Sequence, residues 1–234
     1  MTSATRTVTP AHLTRATGLA AGAAGLLFVL IQFIHPHEVA ANVATTRWAV
    51  THYLSMLMAV LALIGITGMY LRQVERTGLL GLIGYLLFGA NFLAITVWTF
   101  LEALVLPLLV PSVPQFVNDV IAIPGGGEVL GDTGHLKIVN LLAGVGYLAG
   151  GLLFGIAMYR GRLLARWAAL LLSVGTAATV LIPVIPHFAA RLTAVPVGIA
   201  LAGLGYSLWQ QTHTGPDVSR SEVTSPQPDP AVTR

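Results

Sequence analysis

The chain has 234 residues, 55% of them hydrophobic and only 9% charged, with 12 Lys and Arg against 9 Asp and Glu. A soluble domain carries roughly 25% charged residues, so too little charge remains to solvate a globule of this length. That excludes a soluble enzyme, a nucleic-acid-binding module and a disordered regulator, while the lack of cysteine excludes disulfides, thiolate metal centres and iron–sulfur clusters.

The composition predicts an all-α integral membrane bundle. A hydrocarbon core about 30 Å thick takes about 20 residues of helix to cross. Residues 1–15 read as a flexible N-terminus. Six apolar stretches follow, at about residues 16–34, 48–71, 79–105, 136–158, 167–185 and 192–209. The third run continues to Val110, and Pro107, which has no amide hydrogen, is expected to end or kink it. Residues 111–134 form the one long external loop. Within it, residues 113–122 read as an interfacial helix with Phe116, Val117 and Val120 toward lipid and Gln115, Asn118 and Asp119 outward. The tail, residues 211–234, is polar and punctuated by Pro226, Pro228 and Pro230, a composition that stays disordered. A cleaved signal peptide ending near Ala41 fits less well. The apolar stretch of about 19 residues exceeds the usual 7 to 15, and His35-Pro36-His37-Glu38 precedes any cleavage site.

Orientation follows from the basic residues. With an even number of spans, Arg6, Arg15, Arg72, Arg76, Arg160, Arg162, Arg166, Arg220 and Arg234 fall on one side, and Arg47, Lys137 and Arg191 on the other. The richer side is cytoplasmic, so both termini are expected inside a cell membrane. Membrane lipid is the expected partner, and the scattered basic residues imply no nucleic acid. GxxxG pairs at Gly18/Gly22, Gly146/Gly150 and Gly151/Gly155 let helix backbones approach closely. Their first use is packing within the chain, and the same faces are where a homo-oligomer would form.

Chemistry-bearing residues gather at the external ends of the spans. His35 and His37 close the first, His52 lies one turn inside the second, Glu102 sits in the outer part of the third, His135 starts the fourth and His187 ends the fifth. His12 and His213 fall in the solvated ends. A carboxylate at mid-membrane costs about 2.5 to 3.5 kcal/mol, so such a residue faces the bundle interior and takes a partner. Asn91, Ile95, Trp98 and Glu102 lie on one helical stripe. The plain reading of Glu102 is a neutral or salt-bridged acid, with Arg47 or Arg191 as its partner. The functional reading is a pocket open to the outer leaflet, built from His52, Glu102, His135, His187, Asn91 and Trp98, that binds a small lipophilic or metal-containing ligand. In a second reading His52, His135, His187 and Glu102 hold zinc, iron or copper, or two of the histidines hold a b-type haem, in a membrane-embedded redox enzyme. In a third the chain is a structural subunit without a site. No HExxH, paired i, i+4 histidines or haem motif occurs to decide between them.

The order of landmarks resembles an uncharacterised family of bacterial six-helix multipass membrane proteins. These landmarks are Ile34-His35-Pro36 after the first span, Arg47-Trp48 before His52, Phe100 and Glu102 before Leu106-Pro107, Arg166-Trp167-Ala168, and Val195-Pro196-Val197-Gly198 at the last helix. The likeness covers about residues 15–209 and implies six spans. It carries over no activity, ligand or catalytic residue.

Overall fold

The computed structural model describes residues 7–184 and 191–212, and helix is the only regular structure among them. Helix α1 (Pro10–Ile34) begins ahead of the expected start because Thr9 caps it. The Thr9 hydroxyl accepts from the His12 amide, the Thr9 amide donates to the His12 ring, and Pro10 supplies a preset first φ. The short α2 (Ala40–Val43) leads into α3 (Thr46–Phe100), whose first turn is capped by the Thr45 hydroxyl. Then come a π-turn at Leu101–Val105, α4 (Leu106–Leu109) and α5 (Pro114–Ala122). Helices α6 (Leu136–Val145) and α7 (Gly151–Gly161) join through a second π-turn, and α8 (Arg166–Ala178) and α9 (Val195–Gln210) follow among the described residues.

The sequence places a polar break between the second and third apolar stretches, yet helix runs unbroken through Arg72 to Thr77. The chain then reverses at Gly78, with φ 53° and ψ −149°. Only glycine takes that conformation without strain. The two arms of α3, residues 46–77 and 79–100, fold back on each other. The Tyr70 and Tyr85 rings stack with centroids 4.8 Å apart, and the Thr67 hydroxyl lies 3.1 Å from that of Tyr85.

Glycines set the remaining packing. At Gly18 a methyl group would sit 2.8 Å from the Trp209 nitrogen, and at Gly65 one would meet Ala21, so α9 and the first arm of α3 both run antiparallel to α1. Gly84 abuts Phe154, Gly155 abuts Ser173 and Gly175 abuts Val197, which carries the alternation through α7, α8 and α9. Each helical segment thus packs against its neighbour in sequence and the last returns to the first. The interior is filled by Phe28, Met58, Phe88, Phe92, Phe154 and Leu201. The glycine faces at Gly18, Gly84 and Gly155 are occupied within the chain.

The outside is apolar. Leu19, Leu26 and Phe33 on α1, and Leu79, Leu86, Leu93 and Phe100 on the second arm of α3, recur every seventh residue and are all exposed. Four helical stretches, Pro10–Ile34, Thr46–Leu109, Leu136–Gly161 and Arg191–Gln210, are long and apolar enough to cross a membrane, and Arg166–Leu181 is a shorter apolar helix. An all-helical chain with such a surface suggests a membrane protein. Pro107, expected to end or kink its helix, lies two residues before the helix stops at Leu109. It sits in the first turn of α4, and the π-turn before it absorbs the mismatch.

Candidate functional site

The site forms where the two ends of α3 meet. In the π-turn the Leu106 amide reaches back five residues to the Leu101 carbonyl instead of four to that of Glu102. One residue on is Pro107, which has no N–H to offer. The Glu102 carbonyl is thereby left without a helical donor, and the indole N–H of Trp48 fills the gap at 2.8 Å. Trp48 is fully buried, as a side chain supplying that bond must be.

His52, one turn after Trp48, stacks on its indole with ring centroids 4.1 Å apart. Its Nδ1 lies 2.7 Å from the Trp48 carbonyl, an acceptor only, so Nδ1 carries a proton. That leaves Nε2 facing the Glu102 carboxylate, 3.3 Å from Oε2. Nε2 is buried and makes no aligned hydrogen bond despite that proximity. The other carboxylate oxygen, Oε1, accepts from the Trp98 indole at 3.1 Å. His52 is 1% exposed and Glu102 7%. With Nδ1 engaged, Nε2 of a neutral imidazole is left as an acceptor beside the Glu102 carboxyl group.

A third ring completes the cluster. His35, at the C-cap of α1, has its ring centroid 5.1 Å from that of His52 and 6.3 Å from that of Trp48, while its Nδ1 lies 2.9 Å from the Pro36 carbonyl. Burial pushes its pKa down to about 4. The positive charge of Arg191 is the next cause, with smaller contributions from His52 and Arg47, against which the Pro36 hydrogen bond works.

Over this cluster lies a small cap. Val43, Trp48, Leu106, Val117, Val120 and Ile121 pack as one buried group, so α2 and α5 cover the site. The Asn118 side chain accepts from the Ala40 amide at 2.9 Å and ties α5 to α2. The expected faces of α5 are therefore corrected. Val117 and Val120 point at Trp48 and Leu106 rather than at lipid, and Asp119 is buried rather than outward. The reason is a turn-building role. The Asp119 carboxylate accepts from the Leu130 amide at 3.1 Å, the Gly131 amide at 3.0 Å and the Gln115 side chain at 2.9 Å. These bonds, the Leu130 amide foremost, hold its carboxyl below the usual carboxylate range.

Of the sequence candidates, the structure brings His52, Trp98 and Glu102 together. Asn91 is buried, yet it lies eleven residues before Glu102 on the same helix, about 16 Å along the axis. It sits near Gly146, and its side-chain nitrogen has no partner. His135 is exposed at the start of α6. His187 lies outside the described residues. Neither arginine meets Glu102: Arg47 donates to the Ile34 carbonyl at the end of α1, and Arg191 pairs with Glu38 at 2.8 Å. Among the described residues, no three His, Asp or Glu side chains gather to hold a metal ion.

His35 and Trp48 belong to the cluster although the sequence does not single them out as site residues. The signal was present: Trp48 and His52 are one turn apart, and Pro107 stands five residues after Glu102. No protein-family model, no curated protein and no solved structure matches this chain.

Proposed function

We propose that the chain is a multipass membrane protein of six spans, with both termini on the cytoplasmic side of a cell membrane. At its outer mouth it binds a small lipophilic ligand through the His52–Glu102 pair. The topology rests on the nine-to-three division of basic residues, since the antiparallel order of the helices puts His35, Glu102 and His135 at one end and Arg72, Arg76, Arg160 and Arg166 at the other. One observation carries the ligand: a deeply buried imidazole nitrogen faces a buried carboxylate with no aligned hydrogen bond of its own. Ionisable groups in such a setting mark functional sites in membrane proteins. An organic molecule that exchanges a hydrogen bond with Nε2 fits better than a metal, because one imidazole and one carboxylate fall short of a coordination sphere.

Mass spectrometry of organic extracts from purified wild type, His52→Ala and Glu102→Gln tests this reading. A small lipophilic molecule retained near one per chain by the wild type and lost from both variants is the expected result. The same complement in all three proteins overturns it.

A further inference from the structure

The opposite end of the bundle holds a feature that the His52–Glu102 site does not use. Two adjoining recesses flank the Gly78 reversal. One, of about 300 Å³, is lined by Arg72, Gln73, Glu75, Arg76 and Leu163 among others. Its neighbour, of about 340 Å³, is lined by Arg76, Arg160, Leu79, Leu80 and Ala157, with Glu75 shared. Across both, three arginines and one glutamate contribute to the lining, a formal excess of two positive charges. Arg72 also donates to Gln211 at 3.2 Å, and Arg166 nearby lies over the Tyr159 ring, but neither Arg76 nor Arg160 makes an ion pair among the described residues.

Apolar side chains adjoin these arginines. Leu71 and Leu79 are about two-thirds exposed, at 64% and 70%, beside these arginines. Exposed arginines beside exposed leucines match an amphiphile with an anionic head and hydrocarbon tails.

From these observations we infer that the recesses around Arg76 form a binding site for an anionic glycerophospholipid. Arg76 and Arg160 hold the phosphodiester, and the acyl chains lie along Leu71 and Leu79. Gly78 shapes the site, since the reversal there carries Leu79 and Leu80 back beside Arg76. Scattered basic residues at a membrane face account for the arginines' presence but not for their arrangement around shared recesses.

Native mass spectrometry of the full chain, titrated with phosphatidylglycerol, phosphatidylcholine or inorganic phosphate, tests the inference. Phosphatidylglycerol should bind at about one per chain and survive activation that strips phosphatidylcholine. The Arg76→Gln/Arg160→Gln pair should weaken it by about thirtyfold, while Arg15→Gln on α1 should change it by less than about twofold. All three arginines are exposed, so these variants keep the fold, and circular dichroism checks that they do. Equal binding of the two lipids, equal loss in Arg15→Gln, or inorganic phosphate competing as well as the lipid would each overturn the proposal.

Discussion

The indole N–H of Trp48 and the backbone carbonyl of Glu102, 54 residues apart in sequence, lie 2.8 Å from each other in a buried setting. This bond closes the hairpin of α3 at the end opposite Gly78. It exists because the π-turn and Pro107 together deprive that carbonyl of its ordinary helical donor. Trp48→Phe removes the N–H, leaving a buried acceptor unsatisfied, and also the five-membered part of the indole, so a cavity term adds to the lost bond. The expected cost is about 1 to 3 kcal/mol, read from reversible denaturation in detergent. A neutral substitution would mean that the carbonyl has another donor.

Gly78 offers a test at the other end of the hairpin. A methyl group there would meet nothing within 4 Å, but φ is +53°. Gly78→Ala should therefore destabilise through backbone strain alone, by about 1 to 3 kcal/mol. Gly22→Ala, where a methyl group also has open space, lies in ordinary helix and should be neutral or mildly stabilising. Denaturation midpoints of the two variants check the contrast.

Much of this arrangement was legible in the sequence. The composition gave an all-helical chain with long apolar helices, and the cost of a membrane acid placed Glu102 inward, on a stripe with Trp98. Pairing of Glu102 with His52 was within reach as well, since both lie about one turn from the same end of neighbouring helices. Two things escaped for definite physical reasons. A π-turn depends on backbone hydrogen bonding that side-chain periodicity does not report, so the role of Trp48 was hidden behind its ordinary place at a span end. The burial of Asp119 depends on a loop that folds back by 11 and 12 residues to offer the Leu130 and Gly131 amides, and local amphipathicity assigned that polar side chain outward.

Asp119 is the peg on which residues 123–134 hang. Asp119→Ala should accelerate amide hydrogen exchange at Leu130 and Gly131 by roughly tenfold or more, with little change in the helices. Because its folded-state pKa is depressed, the anchoring is present above the ordinary value of 3.8 and is lost as pH falls through the lower folded value. In the wild type the same exchange should quicken only in strong acid. Unchanged exchange in the variant would show that the loop is held elsewhere.

His35 gives a dependence at milder pH. Its pKa falls from 6.5 to about 4 on folding, so between those values the unfolded chain binds the additional proton. Stability should rise with pH across this window and be lost on acidification, by about 3 kcal/mol at most. His35→Gln should flatten the profile. Arg191→Gln should weaken the dependence by removing the second-largest cause of the shift. Thermal midpoints measured from pH 7 to pH 4 provide the check, and an identical slope in wild type and His35→Gln would contradict the assignment.

The pairing of His52 with Glu102 is tested most directly by nitrogen-15 NMR of labelled histidine in the detergent-solubilised protein. The account predicts that His52 carries its proton on Nδ1 and that Glu102→Gln shifts the Nε2 resonance while leaving Nδ1–H in place. A resonance for Nε2 that does not respond to Glu102→Gln, or a ring protonated at Nε2 alone, would contradict it.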